Sequence, residues 1–230
     1  MGKWLLTIAC LIGSAVLTRW LPFSPYFRNV NTLVHEFGHA VVTLLFRGEV
    51  HEIALFVDHS GVTRSTVGGV YGGVAVALAG YATASLFSVY LFWARRRGLE
   101  RQALAAMLSV AVVCLTVFVR NPYGMLWTAG FSGLTALALA VGGWPARLYL
   151  LFVAFLSLEE SVSSAATVWI VALTEPEKAG DAAILAERTG ISAAWWGFGF
   201  TAFSLLCARS AVGHFFGGWG GRKRQRHERN

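Results

Sequence analysis

The sequence has 230 residues, of which 56% are hydrophobic and 13% are charged, and its mean hydropathy is +0.57. These values exclude a soluble globular protein and predict a protein embedded in a lipid bilayer. The net charge of +7 does not indicate a nucleic-acid partner, because its densest parts, 95–101 and 222–229, flank apolar stretches. Basic residues in such positions are typical of the cytoplasmic anchors of membrane proteins.

Several apolar stretches are near the length needed to cross about 30 Å of hydrocarbon. They cover 4–20, 30–46, 67–94, 102–119, 123–143, 146–173 and 191–208. We therefore predict an all-α polytopic membrane protein with about 6–7 transmembrane helices. In this interpretation 1–208 form a single transmembrane domain and 209–230 a basic C-terminal tail. The expected location is the bacterial cytoplasmic membrane.

Between the second and third apolar stretches, the sequence predicts a short membrane-associated β-hairpin near 50–66. Residues 50–57 are rich in strand formers, 58–61 are typical of a turn, and 62–67 again favour a strand. Because lipid does not tolerate an unpaired strand edge, the hairpin is expected at the interface or inside a protein-lined cavity. Its open edge could pair with an extended peptide there.

The motif His35-Glu36-Phe37-Gly38-His39 in the second apolar stretch matches H-E-x-x-H. The four-residue spacing puts both imidazoles on one face of a helix, where they can share a zinc ion with Glu36 beside them. Ionisable side chains at mid-span cost about 2.5–3.5 kcal/mol on insertion scales and usually mark a functional site. We predict one Zn²⁺ per chain, with Glu36 as the base in peptide-bond hydrolysis.

A catalytic zinc site takes three protein ligands, so one must come from elsewhere in the chain. The acidic candidates are Asp58, Asp181, Glu159 and Glu160. Their depth in a predicted span favours the two glutamates, for which pairing with a buried arginine is the alternative role. Asp181 opens a predicted short helix, which would have to dip into the bilayer where protein buries it. Its alternative role is a helix N-cap.

These features resemble the site-2 protease family of intramembrane zinc metalloproteases, in its compact bacterial branch without a PDZ domain. The resemblance is carried by the H-E-x-x-H motif, the hairpin with its Gly61, and several downstream stretches. Those stretches are Ala79-Gly80-Tyr81, Arg120-Asn121-Pro122-Tyr123-Gly124 and Asp181-Ala182, with Thr189-Gly190-Ile191 and Trp195 beyond. The Leu-Asp-Gly ligand motif common in the family is absent, and Ala-Gly-Tyr stands where typical members have Ala-Gly-Pro.

The resemblance implies a role for each matching residue. His35 and His39 would bind zinc, Asp181 would be the third ligand, and Glu36 would be the base. Asn121 would hold the backbone of an extended substrate, which is a membrane protein or peptide cleaved within or next to a transmembrane segment. Such a segment must first unwind, because the carbonyls of a helix are sequestered in backbone hydrogen bonds.

An alternative function uses the same residues without hydrolysis. A membrane transporter, or a non-catalytic zinc-binding membrane protein, would employ the intramembrane His and Glu side chains as an ion path. A continuous polar path predicts coupled roles for Glu159, Glu160 and Arg120.

Overall fold

A computed structural model describes residues 2–20 and 24–227, without the side chains of 3, 17–19 and 218–227. Within these residues the chain forms eight α-helices and one two-stranded sheet. In chain order they are α1 (Gly2–Trp20), α2 (Ser24–Leu45), β1 (Glu49–Leu55), β2 (Gly61–Thr66), α3 (Gly69–Arg97), α4 (Glu100–Val113), α5 (Pro122–Val141), α6 (Gly143–Thr174), α7 (Asp181–Thr189) and α8 (Ala193–His227). The predicted helical fold with a β-hairpin is confirmed.

Four helices of the described chain are long and apolar enough to cross a bilayer. They are α3, α4 together with the π-helical segment Cys114–Phe118 that extends it, α5 and α6. The protein is therefore a multi-pass membrane protein. Each predicted apolar stretch coincides with a helix, but a crossing by α1, α2 or α8 stays a prediction. The charged side chains of the predicted tail at 222–229 lie outside the described residues.

Helix α3 lies at the centre of the fold and packs against α2, α6 and α8. The fully buried side chains around it include Leu33 of α2, Leu91 and Phe92 of α3, and Leu150 and Leu158 of α6. This packing surrounds the motif-bearing face of α2 with protein. Polar groups on that face are thereby shielded from lipid.

The tip of the hairpin is fastened to α2. The hydroxyl of Thr32 donates a hydrogen bond to the carbonyl of His59 at 2.7 Å, and the His59 ring contacts Asn29 at 3.1 Å. Within the turn, the backbone N–H and hydroxyl of Ser60 donate to Asp58 and lower the pKa of its carboxyl. These contacts fix β2 against the helix that carries the H-E-x-x-H motif.

The two edges of the hairpin differ. Strands β1 and β2 pair antiparallel, from Glu49 opposite Thr66 to Leu55 opposite Gly61. The outer edge of β1 is covered by the segment after α4, where Val119 pairs with Ile53. In the part of the chain that the structure describes, only β2 keeps an outer edge without a strand partner.

Asn121 completes the covering of β1. Its amide nitrogen donates to the carbonyl oxygen of Leu55 at 2.6 Å, and its amide oxygen accepts from the Leu55 backbone N–H at 3.1 Å. Asn121 thus holds an extended backbone at two points, and the backbone it holds here is that of β1.

Replacing Asn121 by Ala is expected to destabilise the protein by about 1–3 kcal/mol, because two backbone groups of Leu55 lose their partner. Thermal unfolding in detergent, followed by circular dichroism, measures the effect. Arg64→Ala is the control, since it removes only the surface ion pair of Arg64 with Glu52 on the same hairpin. Equal stability of the two variants would show that Asn121 does not anchor β1.

Candidate metal centre

His35 and His39 lie one turn apart on α2, and the start of α7 brings Asp181 to them. The two imidazole Nε2 atoms are 3.0 Å apart, and Asp181 Oδ2 lies 3.2 Å from that of His35 and 3.3 Å from that of His39. Ligand atoms about 2.0–2.1 Å from a tetrahedral ion lie about 3.3–3.4 Å from one another. The three side chains therefore have the spacing of the ligand set of one metal ion.

Asp181 reaches the two histidines because α7 packs against protein rather than lipid. Ala182 and Leu185 on α7 are fully buried, and α7 packs on α3 and α8. Burial raises the pKa of the Asp181 carboxyl, but hydrogen bonds and charges from His35 and His39 outweigh this effect and lower the pKa below its ordinary value. Asp181 is accordingly ionised, as a metal ligand must be.

A carbonyl of α3 orients the His39 ring. The Nδ1 atom of His39 lies 2.7 Å from the carbonyl oxygen of Val76, which can only accept a hydrogen bond. Nδ1 therefore carries the proton, and the lone pair of a neutral ring is on Nε2, which faces His35 and Asp181. Second partners of this kind hold the imidazole ligands of metal sites in place.

Helix α3 also leaves the space that the three ligands need. A Cβ atom at Gly80 would lie 2.6 Å from Nε2 of His39 and would overlap the His35 ring. The next residue, Tyr81, packs edge-on against His35 with ring centroids 4.6 Å apart and stacks on Phe200. Gly80 and Tyr81 thus form the wall behind the imidazoles.

Glu36 is nearly buried, with 5% of its surface exposed, and strand β2 positions it. The hydroxyl of Thr63 lies 2.7 Å from Glu36 Oε2, to which it donates, and 3.0 Å from the Glu36 carbonyl oxygen. Glu36 does not belong to the three-ligand group. Its carboxylate therefore lies beside the ligand set and not in it.

One cavity of about 430 Å³ contains the three ligand side chains together with Glu36 and Thr63. Its walls are the ligand-bearing face of α2, the outer edge of β2, the first turns of α3, and α7. The lining residues include Glu36, Gly61, Thr63, Ser65, Val67, Gly73, Asp181 and Arg188. Its volume is in the range of sites that bind small molecules or short peptide segments.

A comparison with models of protein families shows which family the chain is related to. The model that describes the Peptidase M50B-like family matches residues 7–211. The chain belongs to this family. The match supports the predicted relationship to the site-2 proteases and covers the H-E-x-x-H motif, the hairpin and Asp181. No curated protein and no solved structure matches the chain.

The other acidic candidates lie outside the metal centre of this M50B-like chain. Glu160 forms an ion pair with Arg28 of α2 at 2.7 Å, which is the alternative role considered for it from the sequence. The Arg120 guanidinium donates to the carbonyl of Thr116, in the π-helical segment after α4, and to that of Val119. These donors bind the backbone of the neighbouring segment, and the coupled ion path of a transporter stays a prediction.

Four groups that line or shape the site carry no prediction from the sequence. They are the Thr63 hydroxyl, the Val76 carbonyl, the space at Gly80, and the guanidinium of Arg188. Thr63 and Val76 are ordinary residues for a strand and an apolar helix, so they carry no local signal. Thr63 lies in the hairpin and Gly80 in the Ala79-Gly80-Tyr81 stretch of the site-2 protease resemblance, but neither stretch assigns the residue a role.

Proposed function

We propose that this M50B-like protein is an intramembrane zinc metalloprotease of the bacterial cytoplasmic membrane, with one zinc per chain. It hydrolyses peptide bonds within or next to a transmembrane segment of a substrate protein. The observation that carries the proposal is the convergence of His35, His39 and Asp181 on one point, with the Glu36 carboxylate in the same cavity. Family membership and the apolar helices agree with it.

Zinc held by the three ligands would lower the pKa of water toward about 7 and polarise the peptide carbonyl. Glu36 takes a proton from the attacking water as the oxygen–carbon bond forms. It then delivers that proton to the amide nitrogen as the carbon–nitrogen bond breaks, so the protons balance. The Thr63 hydroxyl donates to one oxygen of Glu36 and fixes the direction of its carboxylate.

The free edge of β2 offers a way to present the substrate. Gly61, Thr63 and Ser65 on this strand line the cavity that contains Glu36. A transmembrane segment that unwinds loses its helical hydrogen bonds, and a strand edge can replace them by adding the segment as a further strand. The substrate backbone would then run past Glu36 in the extended form that hydrolysis requires.

Zinc content and cleavage of the purified protein test the proposal. We expect about one zinc per chain in detergent, with cleavage of a transmembrane peptide that stops after chelation and returns when zinc is added. His35→Ala/His39→Ala should lose both properties, and Asp181→Ala should bind zinc more weakly. His51→Ala, an exposed histidine on β1, is the control that keeps both. Wild-type protein without zinc, or unchanged zinc in the double variant, would overturn the proposal.

Replacing Thr63 by Val should lower kcat about 10–100-fold while zinc content is unchanged, because a hydrogen bond to a charged group is worth about 1.5–3 kcal/mol. Thr63→Ser keeps the hydroxyl and should retain most of the activity. Single-turnover cleavage together with metal analysis separates the two effects. A fully active Thr63→Val protein would show that Glu36 needs no orienting partner.

A further inference from the structure

Arg188 is a charged group on the cavity wall that the proposed chemistry does not use. It follows Asp181 on α7, and its guanidinium packs against Gly73 of α3, where any side chain would overlap it. Arg188 is exposed and lines the same cavity as Glu36. Among the described residues, Arg188 forms no ion pair with a carboxylate and no hydrogen bond.

Two lengths, taken from ideal helix and strand geometry, place Arg188 relative to the metal centre. Along α7, the seven-residue step from Asp181 to Arg188 corresponds to about 10 Å at 1.5 Å per residue. In the hairpin, Thr63 of β2 contacts Glu36. Four residues later, just beyond β2, Val67 packs at Gly72 of α3, beside the Gly73 that Arg188 contacts. That step is about 13 Å for an extended chain. Both distances correspond to about three to four residues of an extended peptide.

We propose that Arg188 is a carboxylate-binding subsite that selects substrates with an acidic group three to four residues from the cleaved bond. The proposal rests on the function proposed above and names a feature of its substrates. A guanidinium is always charged and presents a planar fork of donors that matches a carboxylate. Gly73 has a role in this arrangement, because the absence of a side chain lets the guanidinium lie against α3 beside the substrate path.

The preference for an acidic substrate residue is measured by the cleavage of peptide pairs that differ only in one Glu or Gln. Mass spectrometry first identifies the cleaved bond in an apolar transmembrane peptide of about 20 residues. The probes are then pairs of this peptide with one Glu or one Gln at the same position, and the position is moved residue by residue on both sides of the cleaved bond. We expect Glu at the position that reaches Arg188 to raise kcat/KM about 10–100-fold over Gln. Free and amidated C-termini, compared on the same sequence, show whether a terminal carboxylate can take its place.

Variants of Arg188 test whether this residue causes the preference for Glu over Gln. Arg188→Gln should cleave the Glu and Gln peptides with equal kcat/KM, and Arg188→Glu should prefer a Lys peptide. Arg64 is an exposed arginine of β2 that pairs with Glu52, and Arg64→Gln should keep the wild-type ratio. Cleavage by the wild type that ignores charge at every position, or an unchanged ratio in Arg188→Gln, would overturn the subsite and leave the protease function intact.

A binding measurement keeps the subsite testable if no peptide is cleaved. Fluorescein-labelled Glu and Gln peptides are titrated with zinc-loaded Glu36→Gln protein, and fluorescence anisotropy gives Kd. We expect about tenfold tighter binding of the Glu peptide, lost in the Glu36→Gln/Arg188→Gln protein. This result without hydrolysis by the wild type would support the subsite and contradict the protease function. Equal Kd values for both peptides would overturn the subsite.

Discussion

Glu36→Gln protein is expected to retain about one zinc per chain and to lose about 10²–10⁴-fold in kcat/KM. The amide has the shape of the carboxylate, and its oxygen can still accept the hydrogen bond of Thr63. It cannot take a proton from water, so the base step is lost while the ligand set of His35, His39 and Asp181 is intact. Metal analysis and cleavage of the same preparation measure both quantities.

Glu52→Gln is the matched control for this variant. Glu52 is a carboxylate of the same region, on β1, and its partner is Arg64 rather than any group of the metal centre. It should keep both zinc and cleavage. Undiminished cleavage by Glu36→Gln would remove Glu36 as the base, and loss of zinc in that variant would make Glu36 a ligand instead.

Gly80→Ala is expected to weaken zinc binding about 100-fold and to abolish cleavage, although the variant residue is itself not a ligand. Its methyl group would lie 2.6 Å from Nε2 of His39 and would overlap the ring of His35, so at least one imidazole must turn away. An alanine otherwise suits a helix better than a glycine, by about 0.8–1.0 kcal/mol. Zinc affinity should therefore fall while the fold is retained.

Gly133→Ala provides the control for a glycine-to-alanine change in a membrane helix. Gly133 lies on α5, and an added Cβ meets no atom within 4 Å. Its zinc affinity and activity should equal those of the wild type. Competition with a chelator gives the affinities, and circular dichroism reports the helix content. Wild-type zinc affinity in Gly80→Ala would show that the ligand atoms do not converge beside α3.

The helices and the hairpin were predictable from the sequence because each depends on local patterns. Long apolar runs have few alternatives to a helix in lipid, and the turn residues 58–61 between two strand-forming runs specify a hairpin. The helical spacing of His35 and His39 predicts their common face without any tertiary information. The predicted stretches and the observed elements agree to within about three residues at most boundaries. Helix α2 begins earlier, at Ser24, and α8 continues to His227, well beyond the predicted end at 208.

The remainder of the site depends on contacts that are distant in the sequence. Their position near the middle of a predicted span favours Glu159 and Glu160 as ligands. In the structure Glu160 pairs with Arg28 of α2 instead. Helix α7 reaches the metal centre because it buries Ala182 and Leu185 against the protein. Neither the ion pair nor the docking of α7 has a local pattern. The likeness of the Asp181-Ala182 stretch to a family was the only sequence signal for the ligand that the geometry favours.

The long separation of His35 from Asp181 has a consequence for biosynthesis. Helix α2 is made early, yet Arg28 meets Glu160 only after α6 is made, and both histidines meet Asp181 later still. A polar helix of this kind is costly in lipid until its neighbours surround it. A nascent chain that has not reached α7 has an incomplete ligand set. The metal centre is thus expected to assemble only near the end of the chain's own translation.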